Sequence, residues 1–290
     1  MKFEHSQRGS VVLGLIQMSM QENAASNLSK ALEMIEGAAR FGAEIVCLPE
    51  LFNSRYFPQQ ENALAIAETI PGPTTEALSK SARKNNVCLV GGSIYERAGK
   101  KRFNTSVVFD DKGRILGKYR KVHIPQDESF YEQEYFDSGK EYRNFKTPHA
   151  NLGVLICFDQ WYPEPARIIR LMGSQVLFYP TAIGTVRGIE QAEGKWKDAW
   201  VAVQRGQAIS NGMIVSAVNR VGTEGRMKFW GNSFVCDQFG TILGRANDKE
   251  QVLVVKCDLS LGESVENGWG FLRNRKTTTY GKLTRNAKTK

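Results

Sequence analysis

Apolar and polar residues alternate along the chain in a pattern that predicts β-strands separated by amphipathic helices. The apolar run at residues 11–18 predicts a strand, and residues 23–40 carry apolar side chains at the spacing of one helix face. Gly42 is placed to end that helix. The same criteria predict further helices at 74–85 and about 190–210. They also predict further strands at 43–48, 87–95, 103–109, 115–118, near 145, 152–156, 176–179, 213–218, 233–236, 241–243 and 252–257.

One stretch, residues 152–167, joins a buried strand to a helix through a cysteine. The apolar run at 152–156 ends at Cys157, and Pro163 suits the first turn of a helix that reaches about Met172. The positive end of a helix dipole and free backbone N–H groups favour a thiolate and an adjacent oxyanion. Cys157 is therefore a candidate nucleophile, and a structural role stays open because free cysteine is often buried.

Residues 122–142 form a long segment that is rich in aromatic and acidic side chains and has little periodicity. Loops of this length within compact domains are usually functional. We therefore expect part of a binding or catalytic site to come from this segment.

Two pieces of the sequence recur in a second copy. Residues 42–50 resemble residues 173–181, and residues 106–117 resemble residues 233–244, at nearly equal offsets along the chain. The period is too long for a solenoid repeat, and it predicts two similar halves of alternating helices and strands. If each half forms a sheet covered by helices on one face, the two bare faces bury each other. The sequence therefore predicts an α/β fold, a four-layer α-β-β-α sandwich with internal pseudo-two-fold symmetry, in a single domain over residues 1–290.

Composition and charge narrow the class of protein. The chain is 41% hydrophobic and 24% charged, which is typical of a globular domain with a large core. The net charge of +9 falls to +2 without the basic residues of the last segment, about 272–290, which has no acidic side chain from Arg273 onwards. This pattern indicates a solvated basic tail, and no basic stripe interleaved with aromatics predicts nucleic-acid binding. No apolar run approaches membrane-spanning length, so we expect no membrane partner.

Cysteine and histidine usage argues against metal binding and disulfides. The five cysteines include no CxxC pair, and four of them lie in apolar, strand-like runs: Cys47, Cys88, Cys236 and Cys257. With only three histidines, a zinc site is not expected. The N-terminal apolar run is short and soon followed by polar residues, unlike a signal peptide. We therefore expect a cytoplasmic protein in a reducing compartment.

Two charged residues follow predicted strands, as Cys157 does. Glu50 ends the strand at 43–48, and Lys121 follows the strand at 115–118. The carboxyl ends of strands are where α/β folds assemble their sites. A carboxylate could deprotonate the cysteine, and an ammonium group could stabilise an oxyanion. Taken singly, however, Glu50 also fits a surface loop acid and Lys121 a solvated charge.

The motifs around these three residues resemble the nitrilase superfamily of carbon–nitrogen hydrolases. They are Val-Cys-Leu-Pro-Glu ending at Glu50, Tyr-Arg-Lys-Val-His-Ile-Pro around Lys121, and the strand that ends at Cys157. The resemblance covers roughly residues 11–280 and implies the α-β-β-α sandwich and a Glu-Lys-Cys triad. It also implies a fourth polar residue after the lysine: Glu132 is the better candidate, with Glu128 and Glu134 left open. It implies no metal and no organic cofactor.

The resemblance also implies a reaction through a thioester. Glu50 would act as the base, and Lys121 and the backbone N–H of Phe158 would hold the oxyanion. The substrate is expected to be a small molecule and the protein a homodimer or higher homo-oligomer. The expected substrate-binding residues are Phe158, Trp161, Tyr56, Thr181, Ala182 and Glu190. Two rival classes of protein fit less well. A hydrolase with a different triad is disfavoured because no GxSxG elbow occurs. A non-catalytic binding protein of the same fold would be expected to lack a triad member, and none is missing.

Within the superfamily, the segments at 159–164, 179–184 and 269–275 are most similar to those of N-carbamoylputrescine amidases. Those enzymes usually carry an acidic residue shortly after Thr-Ala-Ile-Gly, and this chain has Val186 and Arg187 there. The resemblance implies hydrolysis of N-carbamoylputrescine to putrescine, carbon dioxide and ammonia, with Glu190 as the replacement acid. The alternative is a 3-ureidopropionase-like or ω-amidase-like hydrolase, with Arg187 binding a substrate carboxylate.

Overall fold

The first half of the chain alternates strands with two helices. The computed structural model describes residues 9–63, 65–189 and 194–285. Its elements up to residue 120 are β1 (Ser10–Gln17), α1 (Ala24–Arg40), β2 (Ile45–Cys47), α2 (Pro73–Asn85), β3 (Cys88–Val90), β4 (Ile94–Ala98), β5 (Lys101–Phe109) and β6 (Ile115–Arg120). Asn23 caps α1 by accepting a hydrogen bond from the backbone N–H of Ser26 at 3.0 Å, which satisfies one free donor at the start of the helix.

The second half repeats this alternation and ends in short turns. Its elements are β7 (Asn144–Lys146), β8 (Asn151–Val154), α3 (Pro163–Leu171), β9 (Val176–Thr181), β10 (Gly184–Val186), α4 (Trp196–Asn211), β11 (Ile214–Asn219), β12 (Val221–Glu224), β13 (Met227–Trp230), β14 (Phe234–Cys236), β15 (Ile242–Arg245), β16 (Gln251–Asp258) and α5 (Ser260–Gly268). Single 3₁₀ turns lie at Phe57–Gln59, Glu132–Glu134, Cys157–Trp161, Thr277–Thr279 and Gly281–Thr284.

Two large sheets organise the molecule. The first has the order β16-β1-β2-β3-β5-β4, with β6 paired to β5, and the second has the order β15-β14-β11-β9-β8-β7. In both sheets the central strands are parallel and the outer strands antiparallel. A mixed α/β fold, as predicted, is therefore confirmed.

The main core contains side chains from both large sheets. Leu13 and Leu15 of β1 belong to one buried cluster with Leu152 and Val154 of β8 and Phe178 of β9. A second cluster packs the buried faces of α1 and α2 against the first sheet. The parallel strands are buried on both faces, which explains their uninterrupted apolar runs.

The helices α3 and α4 contribute to the same core as the second sheet. Gly153 in β8 allows this close approach, because a Cβ atom there would come within 2.1 Å of a methyl carbon of Ile169 in α3. Close-packed interiors leave no room for such an overlap. The strand that leads to Cys157 is therefore held directly against the helix that follows it.

Several predicted boundaries are wrong in informative ways. The single strand predicted at 87–95 is two strands, because Gly91 and Gly92 separate β3 from β4 and Gly92 has a positive φ of 55°. The strand before Cys157 ends at Val154. The helix predicted from about residue 190 begins at Trp196. The prediction for Glu190 itself lies outside the described residues.

A small third sheet was not predicted. It has the order β10-β13-β12, and its strands are three or four residues long. Its buried residues Val186, Met227 and Phe229 join Leu51 and Tyr56 in a third apolar cluster. This sheet therefore covers the loops that follow β2, next to the residues of the predicted site.

Candidate active site

Glu50 lies three residues after the end of β2 and is completely buried. Its Oε1 accepts hydrogen bonds from the Asn104 side-chain amide at 2.8 Å and from Lys121 Nζ at 2.9 Å. Its Oε2 is also buried and has no hydrogen-bond partner among the residues that the structure describes. A buried carboxylate oxygen without a partner is costly for the fold. It is also free to accept a proton from a bound group.

Lys121 follows β6 and has no exposed surface. Its ammonium group contacts two carboxylates, at 2.9 Å from Glu50 Oε1 and 2.6 Å from Glu132 Oε2. Burial alone would lower the pKa of Lys121, but the negative charges of Glu132 and Glu50 raise it above its ordinary value. The lysine therefore carries a positive charge that is fixed in place, as stabilisation of an oxyanion requires.

Glu132 is the acid that the long loop brings to the site. It begins the 3₁₀ turn Glu132–Glu134, is fully buried, and accepts a hydrogen bond from the Tyr56 hydroxyl at 2.7 Å. Burial, together with the charge of Glu50, raises the pKa of Glu132 to about 7, although Lys121 and Tyr56 act in the opposite direction. The other two candidates lie elsewhere: Glu134 is exposed, and Glu128 forms an exposed ion pair with Arg226.

Cys157 opens the 3₁₀ turn Cys157–Trp161, with a left-handed backbone at φ 43°. Such a φ is uncommon for a residue with a side chain and is typical of strained, functional positions. The side chain is only 7% exposed, and its Sγ lies 4.0 Å from the carbonyl oxygen of Ala182. The thiol therefore lies next to the end of β9.

The surroundings of Cys157 favour the protonated thiol. Burial raises the pKa of the Cys157 thiol well above its ordinary value, and the charge of Glu50 adds to this effect more than Lys121 offsets it. The 3₁₀ turn also separates Cys157 from α3, which begins only at Pro163. A resting thiol needs a base at the moment of attack, and Glu50 is a buried carboxylate whose charge acts on this thiol.

A buried carboxylate, Asp159, ties the cysteine turn to the lysine segment. It accepts hydrogen bonds from the backbone N–H of Ile156 at 2.9 Å and the Tyr119 hydroxyl at 2.7 Å. It also contacts His123 at both the backbone N–H, at 3.0 Å, and the ring Nδ1, at 2.7 Å. Tyr119 and His123 flank Lys121 in the sequence, so one carboxylate sets the position of both segments.

The predicted substrate-binding residues surround the cysteine turn to different degrees. Phe158 and Trp161 are partly buried in that turn, and Trp161 packs against Trp196 at a ring-centroid distance of 5.4 Å. Thr181 and Ala182 are buried at the end of β9, and the Thr181 hydroxyl donates to the Tyr179 carbonyl. Tyr56 is brought into the site through Glu132. Glu190, the remaining predicted residue, lies outside the described residues.

Three buried polar residues of the site were not predicted: Asn104, Asp159 in its structural role, and Arg220. Asn104 lies in β5 beside two other polar residues, Thr105 and Ser106, so nothing in the sequence of this strand singles it out. Arg220 follows the buried strand β11 as Lys121 follows β6, and like Lys121 it is fully buried. Its partners are far away in sequence, so spacing alone gives no sign of them.

Within residues 9–63, 65–189 and 194–285, no group of three or more His, Cys, Asp or Glu side chains could hold a metal ion. Over the same part of the chain, none of the helices has the length and apolar character needed to cross a membrane. The polar groups that converge at Cys157 are instead a thiol, two carboxylates and an ammonium group. This set suits nucleophilic attack on a carbonyl group followed by proton transfer to the leaving group.

Comparison with known proteins agrees with this chemistry. Residues 12–267 match the family model for carbon-nitrogen hydrolases. The chain is 34% identical to an N-carbamoylputrescine amidase of Solanum lycopersicum, over 93% of each protein. It is 33% identical to a citrullinase of Francisella tularensis, over 95% of this chain and 99% of the relative. It is also 34% identical to omega-amidase NIT2-B of Xenopus laevis, over 92% and 96%.

A solved structure has the same fold. The carbon-nitrogen hydrolase from Helicobacter pylori G27 superposes with a TM-score of 0.89 at 35% identity, covering 95% of this chain and 99% of that one. The family model spans most of the chain, and these relatives align with nearly the whole length of the chain. The chain therefore belongs to the carbon–nitrogen hydrolase family, within the nitrilase superfamily, and is an enzyme that acts on amides.

Proposed function

We propose that this enzyme hydrolyses a terminal ureido group through a thioester on Cys157, with Glu50, Lys121 and Glu132 as the other catalytic residues. The observation that carries the proposal is the buried Oε2 of Glu50, which has no hydrogen-bond partner among the described residues and lies beside a lysine that two carboxylates hold in place. The free oxygen is suited to taking a proton, and the fixed ammonium group is suited to an oxyanion.

In the first half of the reaction, Glu50 takes the thiol proton as Cys157 Sγ forms a bond to the substrate carbonyl carbon. Lys121 and the backbone N–H of Phe158 hold the resulting oxyanion. The tetrahedral intermediate then collapses, and the C–N bond to the terminal nitrogen breaks. Glu50 returns its proton to that nitrogen, which leaves as ammonia, and the rest of the substrate stays on sulfur as a thioester.

In the second half, Glu50 deprotonates a water molecule that attacks the thioester carbonyl. Glu132 helps to position the substrate or water through its contacts with Lys121 and the Tyr56 hydroxyl. The C–S bond breaks, and the sulfur recovers its proton from Glu50. The product of a ureido substrate is a carbamate, which loses carbon dioxide and leaves a free amine.

The finer assignment is N-carbamoylputrescine, with release of putrescine. Its support is the name of the Solanum lycopersicum relative, together with the sequence segments 159–164 and 179–184. The citrullinase relative also takes its name from a ureido compound. Val186 is buried and apolar, whereas Arg187 is exposed. A buried substrate ammonium without an acidic partner would cost several kcal/mol, so the proposal requires another acid, and Glu190 remains our candidate.

Ammonia release tests this assignment directly. We expect kcat/KM for N-carbamoylputrescine to exceed the values for 3-ureidopropionate and for a dicarboxylate ω-amide, with Cys157→Ala inactive on all three. A tenfold preference for an acidic substrate, or about 1.4 kcal/mol, would favour the alternative: a 3-ureidopropionase-like or ω-amidase-like enzyme in which Arg187 binds the carboxylate. An active Cys157→Ala variant would refute the mechanism itself.

We also propose that the protein is a cytoplasmic homo-oligomer that assembles through α3 and α4. Large apolar side chains are exposed on or next to both helices: Ile168, Met172, Trp196 and Ile209. Contiguous exposed apolar patches mark interaction sites, and we propose that these side chains belong to one. Light scattering of the purified protein tests this proposal, and a monomer at micromolar concentration would contradict it. The five free, buried cysteines fit a reducing compartment.

We further propose that residues 1–290 form one domain, a four-layer α-β-β-α sandwich with pseudo-two-fold symmetry. Its support is the matching order and direction of pairing in the two large sheets. The register also shifts at equivalent places, between Val108 and Phe109 of β5 and between Val235 and Cys236 of β14. Limited proteolysis that released a stable half of the chain would contradict the single domain.

A further inference from the structure

A buried ion pair lies beneath the turn that carries Glu50. Arg220 and Glu224, at either end of β12, are 0% and 2% exposed, and Arg220 Nη1 donates to Glu224 Oε1 at 2.7 Å. Neither residue takes part in the reaction proposed above. Because desolvation of two charges offsets most of their attraction, an ion pair this deeply buried adds little net stability. Its position therefore calls for another explanation.

The guanidinium group of Arg220 holds the backbone of the Glu50 turn. Its Nη2 donates to the carbonyl oxygens of Glu50 at 2.9 Å, Leu51 at 2.7 Å and Ser54 at 3.2 Å. Leu51 has a left-handed backbone, with φ at 46°. A residue with a side chain keeps such a conformation only where its surroundings enforce it. These hydrogen bonds supply that constraint directly after Glu50.

The partner carboxylate reaches the other side of the site. Glu224 Oε2 accepts a hydrogen bond from the backbone N–H of Tyr56 at 2.6 Å, and the Tyr56 hydroxyl in turn donates to Glu132. The Arg220 guanidinium also lies 5.1 Å from the ring centroid of Phe229 in β13. The ion pair therefore connects to Glu50 through the backbone and to Glu132 through Tyr56.

We propose that Arg220 and Glu224 are positioning residues that align Glu50 with Cys157 and Glu132 with Lys121. The proposal rests on the function proposed above, because it takes Glu50 as the base. It also explains why the residue is an arginine. A planar guanidinium group donates in several fixed directions, whereas the ammonium group of a lysine is a single point charge. A lysine at position 220 would lose part of this set of contacts.

A matched pair of variants separates alignment from general stability. Arg170 is also a buried arginine that donates to backbone carbonyls, those of Asn211 and Ser174, both at 3.0 Å. We expect Arg220→Lys and Arg170→Lys both to lower the melting temperature. Only Arg220→Lys should lower kcat, by about 10²-fold, the cost of misplacing a catalytic group by about 1 Å. Its KM should change little, and iodoacetamide should alkylate Cys157 more slowly than in Arg170→Lys.

Glu224→Gln provides a second variant with the same shape and no charge, for use if Arg220→Lys does not fold. It should show the same loss in kcat and in alkylation rate. Wild-type kcat in the folded Arg220 or Glu224 variant, or a loss confined to KM, would overturn the positioning role. If the positioning role is overturned in this way and Cys157→Ala is inactive in the same assay, the proposed function stands and only this inference fails. An active Cys157→Ala would instead refute the proposed function.

Discussion

At the scale of single residues, the site is built from charges that burial would otherwise disfavour. Lys121 and Glu132 are both fully buried, and each is stabilised by the opposite charge of the other at 2.6 Å. Asn104 donates a further hydrogen bond to Glu50, and Tyr56 donates one to Glu132. Such preorganised groups need no rearrangement when charge develops in the transition state. We therefore expect large kinetic effects from changes that hardly alter the shape of the site.

Replacing Lys121 with methionine removes the ammonium group and keeps the length of the side chain. If Lys121 stabilises the oxyanion, kcat should fall by at least about 10²-fold, which is typical for the loss of one such donor. Lys112→Met, at an exposed lysine in the turn after β5, is the control. Near-wild-type turnover in the folded Lys121→Met enzyme, measured as ammonia release, would show that the lysine has no such role.

Glu132 should give the pH profile an ionisation near neutrality. Burial raises its pKa to about 7, and its oxygens accept hydrogen bonds from Lys121 and Tyr56. The ionised carboxylate can accept all of these hydrogen bonds. The protonated carboxyl group would direct its own proton towards one of the donors and lose that hydrogen bond. We therefore expect kcat/KM to fall as the pH drops below about 7, because Glu132 then becomes protonated.

Glu132→Gln tests the origin of that ionisation. The residual activity of this variant should lack the acidic limb, since the amide does not titrate. Glu134→Gln, at an exposed neighbour in the same turn, should keep it. An unchanged limb in Glu132→Gln would assign the ionisation to another group.

At the scale of elements, the site depends on contacts between segments that are far apart in sequence. Asp159 links the cysteine turn to the segment after β6. The hairpin turns of the two halves are also built alike. Asp110 accepts hydrogen bonds from the backbone N–H groups two and four residues ahead, and Asp237 does the same in the second half. The recurring Asp and Gly in these turns made the hairpins predictable from sequence.

The contacts of Asp159, which is not one of the proposed catalytic residues, predict that its replacement lowers stability and also alters the environment of Cys157. Asp159→Asn exchanges one acceptor oxygen for a donor while several donors still face it. We expect the free energy of unfolding to fall by about 2 kcal/mol, the usual effect of a hydrogen bond to a charged group. Alkylation of Cys157 by iodoacetamide should also slow. Asp237→Asn, in a remote turn, should lose stability without any change in alkylation, and equal alkylation in both variants would contradict the link.

Glu96 in β4 should make stability depend on pH at the edge of the first sheet. It is buried and accepts hydrogen bonds from Thr105, Lys118 and Arg120. Burial alone would raise its pKa, but these contacts lower it from 4.5 to about 2. A lowered pKa stabilises the fold at pH values above the unfolded value of 4.5. That contribution is lost as the pH falls through about 2.

Glu96→Gln should therefore lower the free energy of unfolding at neutral pH by up to about 3 kcal/mol. The difference from wild type should shrink steadily below pH 4.5. Glu22→Gln, at an exposed ion pair, should show no such pH-dependent difference. Urea unfolding at a series of pH values measures both. A difference that stayed constant down to pH about 2 would show that the charge of Glu96 is not the cause.

At the scale of the whole molecule, the sequence predicts the strands of the two large sheets better than the small third sheet beside the candidate site. Buried parallel strands carry continuous apolar runs, so most strands of the large sheets were predicted to within a few residues. The small sheet β10-β13-β12 has three- or four-residue strands that include Lys228 and Glu224. Strands this short have no clear period, and they form here because tertiary contacts favour them.

Some residues of the candidate site could be predicted from the sequence, and others could not. Glu50, Lys121 and Cys157 follow strands and carry motifs, so they could be predicted, and the structure brings Glu50 and Lys121 into contact. Glu132 was one of three candidate acids, and burial distinguishes it from the others. Arg220 could not be predicted, because its contacts with the Glu50 turn span 166 to 170 residues. Local pattern carries no information at that separation.

The most direct test of the account is to trap the acyl-enzyme during turnover. The enzyme is mixed with excess N-carbamoylputrescine, quenched in acid within the first turnovers and analysed by intact and peptide mass spectrometry. Lys121 and Glu50 remain in place, so the adduct forms at its normal rate. We predict a mass increase equal to the mass of the substrate less one ammonia, on the peptide that contains Cys157. A covalent adduct on any other residue, or unhindered turnover by Cys157→Ala, would contradict it.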